Sequence, residues 1–227
     1  MDIAHKVMTL LKKPPSIALT DVQQKKMSQI IKRVGPDATI INIGSKNTLV
    51  FSRVINIDLI PYKNVHLVSN AETLALKDEC ADVLFIIALL EIVEEPDTVI
   101  SEIYRVLKPG GIVVATTPFM QSYHPDPVDT HRFTIHGTQR LFRNFGIEEI
   151  MPTRGVFGSF LCLMKDYMAI FLSFNSIFLW KVLNIVIPWI LFPLKYIDRI
   201  MPAYQKAEYV VSSFTIIARK PQIKDKI

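Results

Sequence analysis

The amino-acid sequence predicts an α/β protein with a doubly wound, Rossmann-like sheet of seven mostly parallel strands and a hydrophobic helical insert before the last strand. Short apolar runs rich in β-branched residues alternate with segments whose apolar residues recur at helical spacing. Several runs are apolar throughout, as expected for strands covered on both faces. The 227 residues, 50% of them hydrophobic, suffice for one domain with a full core and exclude a disordered chain.

The predicted elements alternate along most of the chain. A helix over residues 21–34 stops at Gly35-Pro36, and a buried strand over residues 38–43 ends at Gly44. Further strands are predicted over residues 53–58, 65–68, 82–87, 112–116, 147–151 and 209–219, and helices over residues 96–107 and 136–144. The glycines at the end of the run 108–111 predict a turn between helix and strand.

The net charge of +5 is concentrated at the start of the chain. Residues 1–34 carry seven Lys or Arg and two Asp, so the remaining residues are neutral as a group. A basic helical segment on a neutral body favours an anionic surface such as membrane lipid, although a solvated helix face has the same pattern. No apolar run precedes Pro14-Pro15 that would indicate a secretory signal.

A hydrophobic helical insert is predicted over residues 157–205. Residues 167–194 carry one charged side chain, Lys181, and include Pro188 and Pro193. Three interpretations remain open: a buried or capping helical pair over the active site, an interfacial element, and a membrane span. The aromatic and basic side chains at its edges, Trp180, Trp189, Lys195, Tyr196 and Arg199, favour the interfacial element over the span.

Two residues at predicted strand ends indicate a nucleotide-type ligand. Gly44 lets the backbone turn sharply and approach a ligand, and Asp58 follows the second strand, where it can accept ribose hydrogen bonds. The loop holds one glycine, and Asp58 lies 14 residues further along. A dinucleotide site has three glycines and an acid about 20 residues on, so NAD is disfavoured.

A longer pattern is more specific. Glu91, Pro96 and the run Arg105-Val-Leu-Lys-Pro-Gly-Gly111 resemble class I S-adenosylmethionine-dependent methyltransferases, and most closely the type 11 group. The resemblance covers residues 38–150 and the last strand. It implies S-adenosylmethionine as cofactor, with binding residues Gly44, Ser45, Asp58, Asn70, Ala71, Ala88 and Leu89. Lys46 and Ile92 depart from the family pattern, which leaves a catalytically inactive, membrane-associated binding protein on the same scaffold as the alternative.

A second stretch, residues 118–134, resembles a subgroup of these enzymes found in glycan and lipid-linked saccharide pathways. Its place after the fifth strand predicts the acceptor side of the pocket, with His124 and Asp129 as catalytic bases and Arg132 and His131 as substrate-binding residues. The alternative is an Asp129–Arg132 salt bridge that only pins the loop.

The predicted activity is methyl transfer to a small-molecule, glycan or lipid-linked acceptor. No metal is expected, because the three histidines of this stretch have no Cys or paired carboxylate to complete a site. Nucleic acid is not expected either, since aromatic and basic residues do not interleave outside the N-terminal segment. Two widely separated cysteines favour a reducing compartment, so we expect a cytoplasmic protein. The hydrophobic insert and the basic N-terminal segment suggest that it is peripheral to the membrane.

Overall fold

The computed structural model describes residues 14–18, 21–46, 53–124, 128–200 and 206–222. The chain divides into two compact units, one formed by residues 23–119, 123–153 and 213–227, the other by residues 1–22, 120–122 and 154–212. The first unit holds the sheet and the second holds most of the hydrophobic insert. A single domain over residues 1–227 stays a prediction.

The sheet unit contains seven strands in the order β3-β2-β1-β4-β5-β7-β6. The strands are β1 (Ile40–Ile43), β2 (Ile55–Asp58), β3 (Leu67–Val68), β4 (Ala81–Ile86), β5 (Leu107–Pro118), β6 (Gly146–Pro152) and β7 (Ser213–Arg219). Strands β1 to β5 pair in parallel, and β7 runs antiparallel between β5 and β6. The predicted seven-stranded, mostly parallel sheet is confirmed. The strand order reverses direction at β1 and β4, so a crevice opens beyond their carboxyl ends.

Helices cover both faces of this sheet. On one face, α1 (Asp21–Arg33) packs Met27 and Ile30 against strand residues such as Phe85 and Val114. On the other, α2 (Pro96–Val106) and α3 (Ile135–Leu141) bury residues such as Val99, Ile103 and Leu141. This two-sided cover explains why β4 and β5 are apolar throughout.

The Arg105–Gly111 run of the family pattern has a structural role. The Arg105 guanidinium donates to Glu102, to Asp78 and to the carbonyls of Leu74 and Leu76, which fixes the chain after β3. The predicted turn at residues 108–111 is a bulge within β5, because Ala81 pairs with Leu107 and Val83 already pairs with Ile112. Gly110 adopts a φ of 79° in that bulge, a value that favours glycine.

Two predicted element boundaries differ from the structure at the end of the chain. The strand predicted over residues 209–219 begins only at Ser213, after a 3₁₀ turn at Ala207–Tyr209. The helix predicted over residues 136–144 begins at Ile135, where Thr134 caps it by accepting from the Gly137 N–H. It ends at Leu141, three residues earlier than predicted. Of the basic N-terminal segment, residues 1–13, 19 and 20 lie outside the described residues.

The helical unit is built on a hairpin of two apolar helices, α4 (Val156–Leu172) and α5 (Ile177–Leu191). A 3₁₀ segment (Phe192–Tyr196) and α6 (Ile197–Ile200) continue from α5. Ile17, Leu161, Ala169, Ile187 and Leu191 form its small core. Many other apolar side chains of the hairpin are exposed, which does not fit a buried pair. Among the described residues, Ile177–Ile200 is the one helical stretch long and apolar enough to cross a membrane.

Candidate active site

The loop after β1 presents bare backbone at the crevice. Gly44 has a φ of 72°, and the N–H groups of Gly44 and Ser45 both donate to the Ile57 carbonyl, at 2.9 and 3.3 Å. A Cβ added to Gly44 would lie 2.9 Å from Leu89 Cδ1 and 3.2 Å from Leu89 Cβ. Two of the predicted cofactor residues, Gly44 and Leu89, are therefore in direct contact across β1 and β4, and no side chain fits between them.

Asp58 at the end of β2 is the polar anchor of this loop. Its Oδ2 accepts from the Lys46 N–H at 2.7 Å and its Oδ1 from the Ile60 N–H at 3.0 Å. Each carboxylate oxygen has two lone pairs, so one on each oxygen remains available for a ribose hydroxyl. The side chain is buried yet lies at the carboxyl edge of the sheet, where the sequence predicted it.

The remaining predicted cofactor residues lie at the ends of β3 and β4. The Asn70 Oδ1 accepts from the Glu72 N–H at 2.9 Å in an Asx turn, and Ala71 behind it is buried. Ala88 has a φ of 54° and donates its N–H to Thr116 Oγ1 at 2.9 Å. A non-glycine residue rarely adopts this conformation, and here it turns an exposed alanine over the end of β4.

The predicted acceptor residues share one loop between β5 and α3. Both guanidinium Nη atoms of Arg132 donate to the Asp129 carboxylate, and Asp129 Oδ2 also accepts from the His124 N–H at 2.8 Å. His131 Nδ1 lies 2.7 Å from Thr130 Oγ1, and its ring stacks on Phe133 at 6.0 Å. The Asp129–Arg132 salt bridge of the alternative interpretation is therefore present in this loop.

This pairing argues against Asp129 as a general base. The hydrogen bond from Arg132 is the largest influence that lowers the pKa of Asp129, and backbone donation from His124 adds to it. A carboxylate whose pKa is lowered in this way holds protons poorly and stays ionised at neutral pH. The contacts of Asp129 fix the loop, and its base role stays a prediction. The proposed base role of His124 and the substrate contacts of His131 and Arg132 stay predictions.

Glu91 is a site residue that the sequence analysis quoted only as part of the family pattern. It is the first acidic residue beyond β4, and its carbonyl accepts from the Thr130 N–H at 2.8 Å and the Thr130 hydroxyl at 3.0 Å. Its Oε2 is buried and has no hydrogen-bond partner among the described residues. A strand-end carboxylate at the crevice is a signal that could have identified it from sequence.

The pKa of Glu91 responds to charges on two loops, the loop after β1 and the loop after β5. Burial is the largest influence that raises the pKa of Glu91, and the neighbouring charge of Asp129 raises it further. The charges of Arg132 and Lys46 act in the opposite direction. Lys46, which replaces a family glycine, therefore has a carboxylate nearby that offsets its charge. Charges on both the loop after β1 and the loop after β5 therefore act on the pKa of Glu91.

No three His, Cys, Asp or Glu side chains lie close enough together to hold a metal ion in the part of the chain that the structure describes. Two carboxylates near the crevice have other partners. Asp58 accepts from a backbone N–H, and Asp129 accepts from the Arg132 guanidinium.

Comparison with known proteins places this geometry in a family. Residues 28–115 match a family described as a methyltransferase domain, of the type 11 group. Residues 28–115 thus form a methyltransferase domain of the type 11 group. Over these residues the predicted family and its S-adenosylmethionine cofactor are confirmed. A protein described as an uncharacterized 37.1 kDa protein in transposon TN4556 of Streptomyces fradiae is 29% identical over 52% of this chain and 35% of its own length. The chain thus spans about a third of that curated relative.

Solved structures share the fold of the methyltransferase domain at low identity. The [4+2]-cyclase SpnF is 16% identical with a TM-score of 0.56, covering 88% of this chain and 81% of that one. Phosphoethanolamine N-methyltransferase 2 of Haemonchus contortus is 18% identical with a TM-score of 0.54, covering 87% and 53%. Geranyl diphosphate C-methyltransferase of Streptomyces coelicolor A3(2) is 13% identical with a TM-score of 0.56, covering 88% and 77%. Because a cyclase shares this fold with methyltransferases, the fold alone does not define the reaction.

The residues of the crevice fit S-adenosylmethionine. Gly44 combines a φ of 72° with direct packing on Leu89, so the backbone turns sharply at the end of β1 without a side chain of its own. Asp58 keeps acceptor capacity for ribose hydroxyls, and the Asn70 turn lies at the end of the neighbouring strand. The positive charge of a sulfonium would be offset by the buried Glu91 carboxylate beyond β4.

Proposed function

We propose that this protein transfers a methyl group from S-adenosylmethionine to a hydroxyl of a small-molecule acceptor, with Glu91 as the general base. One observation carries the proposal: the unpartnered, buried Oε2 of Glu91 lies within electrostatic reach of both Lys46 on the cofactor loop and Arg132 on the acceptor loop. A carboxylate in that position can act on a group held between the two loops.

The cofactor residues hold and orient the donor. S-adenosylmethionine supplies an electrophilic methyl group on a sulfonium. Gly44 and Ser45 would present their backbone to it, Asp58 would accept from the ribose hydroxyls, and Asn70 with Ala71 would border the base. Most of the rate enhancement then comes from alignment of donor and acceptor, since methyl transfer needs no covalent help from the protein.

Glu91 would take the proton that the acceptor hydroxyl loses as its oxygen bonds to the methyl carbon, while the S–CH3 bond breaks and its electron pair stays on the sulfur of the departing S-adenosylhomocysteine. A base is most effective when its pKa approaches the working pH, and burial moves the pKa of Glu91 in that direction. Asp129 and Arg132 act as positioning residues, because their ion pair fixes the loop whose Thr130 donates to the Glu91 backbone.

The acceptor is proposed to be a glycan or a lipid-linked saccharide, and the working place the cytoplasmic side of a membrane. The likeness of residues 118–134 to enzymes of such pathways supports the acceptor class, and the apolar hairpin of the helical unit supports work at a membrane surface. Hydroxyl groups are the nucleophiles that saccharides offer, and they are the acceptors that benefit most from a base such as Glu91.

The test is turnover by Glu91→Gln against a matched control, Glu94→Gln, which changes an exposed carboxylate of the same loop. Radiolabelled S-adenosylmethionine is incubated with the full chain and lipid-linked or free saccharide acceptors. We expect kcat to fall by about 10²–10⁴-fold in Glu91→Gln, with the acidic limb of its pH profile abolished. Wild-type rates in Glu91→Gln would refute the base assignment, and no transfer to any acceptor would favour the inactive binding protein.

A further inference from the structure

The turn of the α4–α5 hairpin is an exposed apolar tip, which we define as residues 167–180. Phe171, Phe174, Ile177 and Phe178 are 78%, 82%, 73% and 77% exposed. None of the 14 residues of the tip is charged. Scattered apolar residues are common on protein surfaces, but a contiguous group of phenylalanines at this exposure marks a surface that another apolar phase covers.

The exposure surrounds the tip. Successive helical residues point about 100° apart, and Ile170, Phe171 and Leu172 at the end of α4 are all exposed. Ile177, Phe178 and Trp180 are likewise exposed around the first turn of α5. A protein partner would cover one face of such a hairpin and leave the others in water. Lipid chains cover every side of an inserted tip at once.

Contacts at the opposite end of the hairpin show that it does not open into a span. The Asp198 carboxylate of α6 accepts from the N–H groups of Phe157 and Gly158 at 3.0 and 2.8 Å, which caps the start of α4. A Cβ on Gly155 would lie 2.1 Å from Asp198 Cγ, so glycine is needed for this approach. The chain therefore starts and leaves the hairpin at the same end, and both ends stay on one side of any membrane.

The helix lengths fit one leaflet. At 1.5 Å per residue, the six tip residues of α4 reach about 9 Å and the four of α5 about 6 Å, within the roughly 15 Å of hydrocarbon in one leaflet. The whole of α5, with 15 residues, is about 22 Å long and shorter than a hydrocarbon core of roughly 30 Å. Lys181 borders the tip, where its long side chain can extend back to the headgroups.

Cationic and aromatic side chains gather beyond α5. The Lys195 Nζ lies 5.0 Å from the Phe192 ring centroid and 5.3 Å from that of Tyr196, and Arg199 lies 5.0 Å from the Tyr196 ring. In the one-leaflet geometry these cations lie above the headgroups, where they attract an anionic surface over a Debye length of about 10 Å without contacting it.

We propose that the hairpin inserts its tip into one leaflet of an anionic lipid membrane without crossing it. This inference does not depend on methyl transfer, and it gives the proposed work at a membrane surface a structural basis. The one-leaflet geometry places Trp180 within about 9 Å of the turn and Trp189 about 22 Å from it. In a span over Ile177–Ile200, by contrast, Trp189 would lie at the middle of the membrane.

The first test is flotation of the full chain with vesicles of phosphatidylcholine and phosphatidylserine. The tip variant Phe171→Asp/Phe178→Asp is compared with Gln139→Asp/Asn144→Asp, which adds the same charge at exposed positions of the sheet unit. We expect partitioning to fall by about tenfold or more for each lost phenyl ring in the tip variant, and to stay near the wild-type value in the control. Equal flotation of both variants, or a soluble oligomer that disperses only in the tip variant, would overturn the proposal.

The second test measures depth. The chain has two tryptophans, so Trp189→Phe leaves Trp180 and Trp180→Phe leaves Trp189 as the fluorophore. Lipids brominated near the middle of the acyl chain are expected to quench Trp180, at the shallow end of the inserted tip, more than Trp189, which lies above the hydrocarbon. Stronger quenching of Trp189 than of Trp180 would contradict one-leaflet insertion and establish a span. Both measurements report on the membrane alone, so their outcome is separate from that of the turnover test.

Discussion

The Gly44→Ala substitution probes the cofactor loop with a single methyl group. The added Cβ meets two obstacles: a backbone φ of 72°, and Leu89, whose Cδ1 would lie 2.9 Å away and whose Cβ and Cγ would each lie 3.2 Å away. Leu89 Cβ is attached directly to its backbone, so rotation of the side chain cannot remove the whole overlap. The end of β4 or the Gly44 loop has to shift.

The magnitude follows from these two contributions. A left-handed conformation costs an alanine about 1–2 kcal/mol, and overpacking against a buried side chain adds about 1–3 kcal/mol. Gly35→Ala is the matched control, because its φ of 82° imposes the same backbone penalty while its Cβ would have nothing within 4 Å. The difference between the two variants isolates the contact with Leu89.

The assay is calorimetric titration of S-adenosylmethionine into the full chain, with Tm measured on the same samples. We expect Gly35→Ala to lower Tm by a few degrees and leave the affinity unchanged, since about 1 kcal/mol corresponds to about 2–4 °C in a chain of this size. Gly44→Ala is expected to lower Tm further and to weaken binding at least about tenfold, because the loop cannot keep its approach to the ligand. Wild-type affinity in Gly44→Ala would refute the assignment of this loop.

Two further predictions concern the acceptor side. Arg132→Lys cannot reproduce the two-pronged contact with Asp129 and should destabilise the fold by about 1–3 kcal/mol at neutral pH. Because the pKa of Asp129 is lowered in the fold, this loss should shrink as the pH falls below about 4, and a pH-independent loss would contradict it. Glu91 has a raised pKa, so the folded state binds its proton more tightly and stability falls as the pH rises through that range. Glu91→Gln should therefore have the same Tm as the wild type at low pH and a higher Tm near neutrality. The gain in the free energy of unfolding near neutrality should be about 1.4 kcal/mol per unit of pKa shift. If the two proteins have equal Tm at both pH values, the carboxylate is not desolvated.

Sequence patterns predicted the sheet because burial on both faces makes a distinctive sequence. The β4 strand, apolar over nearly its whole length, has to be covered on both sides, and α2 follows from apolar residues at helical spacing. Strand ends were less predictable, because they depend on partners distant in sequence. The four residues between Leu107 and Ile112 form a bulge only because Ala81 and Val83 pair on either side of it.

The candidate site was predicted in part for the same reason. Gly44 and Asp58 were predicted because strand ends and residue type together indicate a nucleotide edge, and the structure has both at the carboxyl edge of the sheet; their contacts with a cofactor stay a prediction. The sequence could not decide whether Asp129 acts as a base or pairs with Arg132, since that depends on a loop conformation. The sequence did not suggest Glu91 as the proposed base, because burial of its Oε2 without a hydrogen-bond partner among the described residues is a property of the folded chain.

The exposed tip was also beyond sequence analysis. Hydropathy showed that residues 167–194 are apolar but left buried, interfacial and spanning arrangements open. The Asp198 contacts with Phe157 and Gly158 join positions about 40 residues apart and close the hairpin, which no local pattern shows.

The most direct test of this account is calorimetric titration of S-adenosylmethionine into the wild-type chain and into Asp58→Ala. Asp58 holds the loop through the N–H groups of Lys46 and Ile60 and offers its remaining lone pairs to the ribose. Charge-assisted hydrogen bonds contribute about 1.5–3 kcal/mol each, so the account predicts binding by the wild type and a loss of at least about tenfold in Asp58→Ala. Absence of binding by the wild type at millimolar ligand would contradict the proposed activity, and equal affinity in both proteins would contradict the placement of the cofactor at this edge of the sheet.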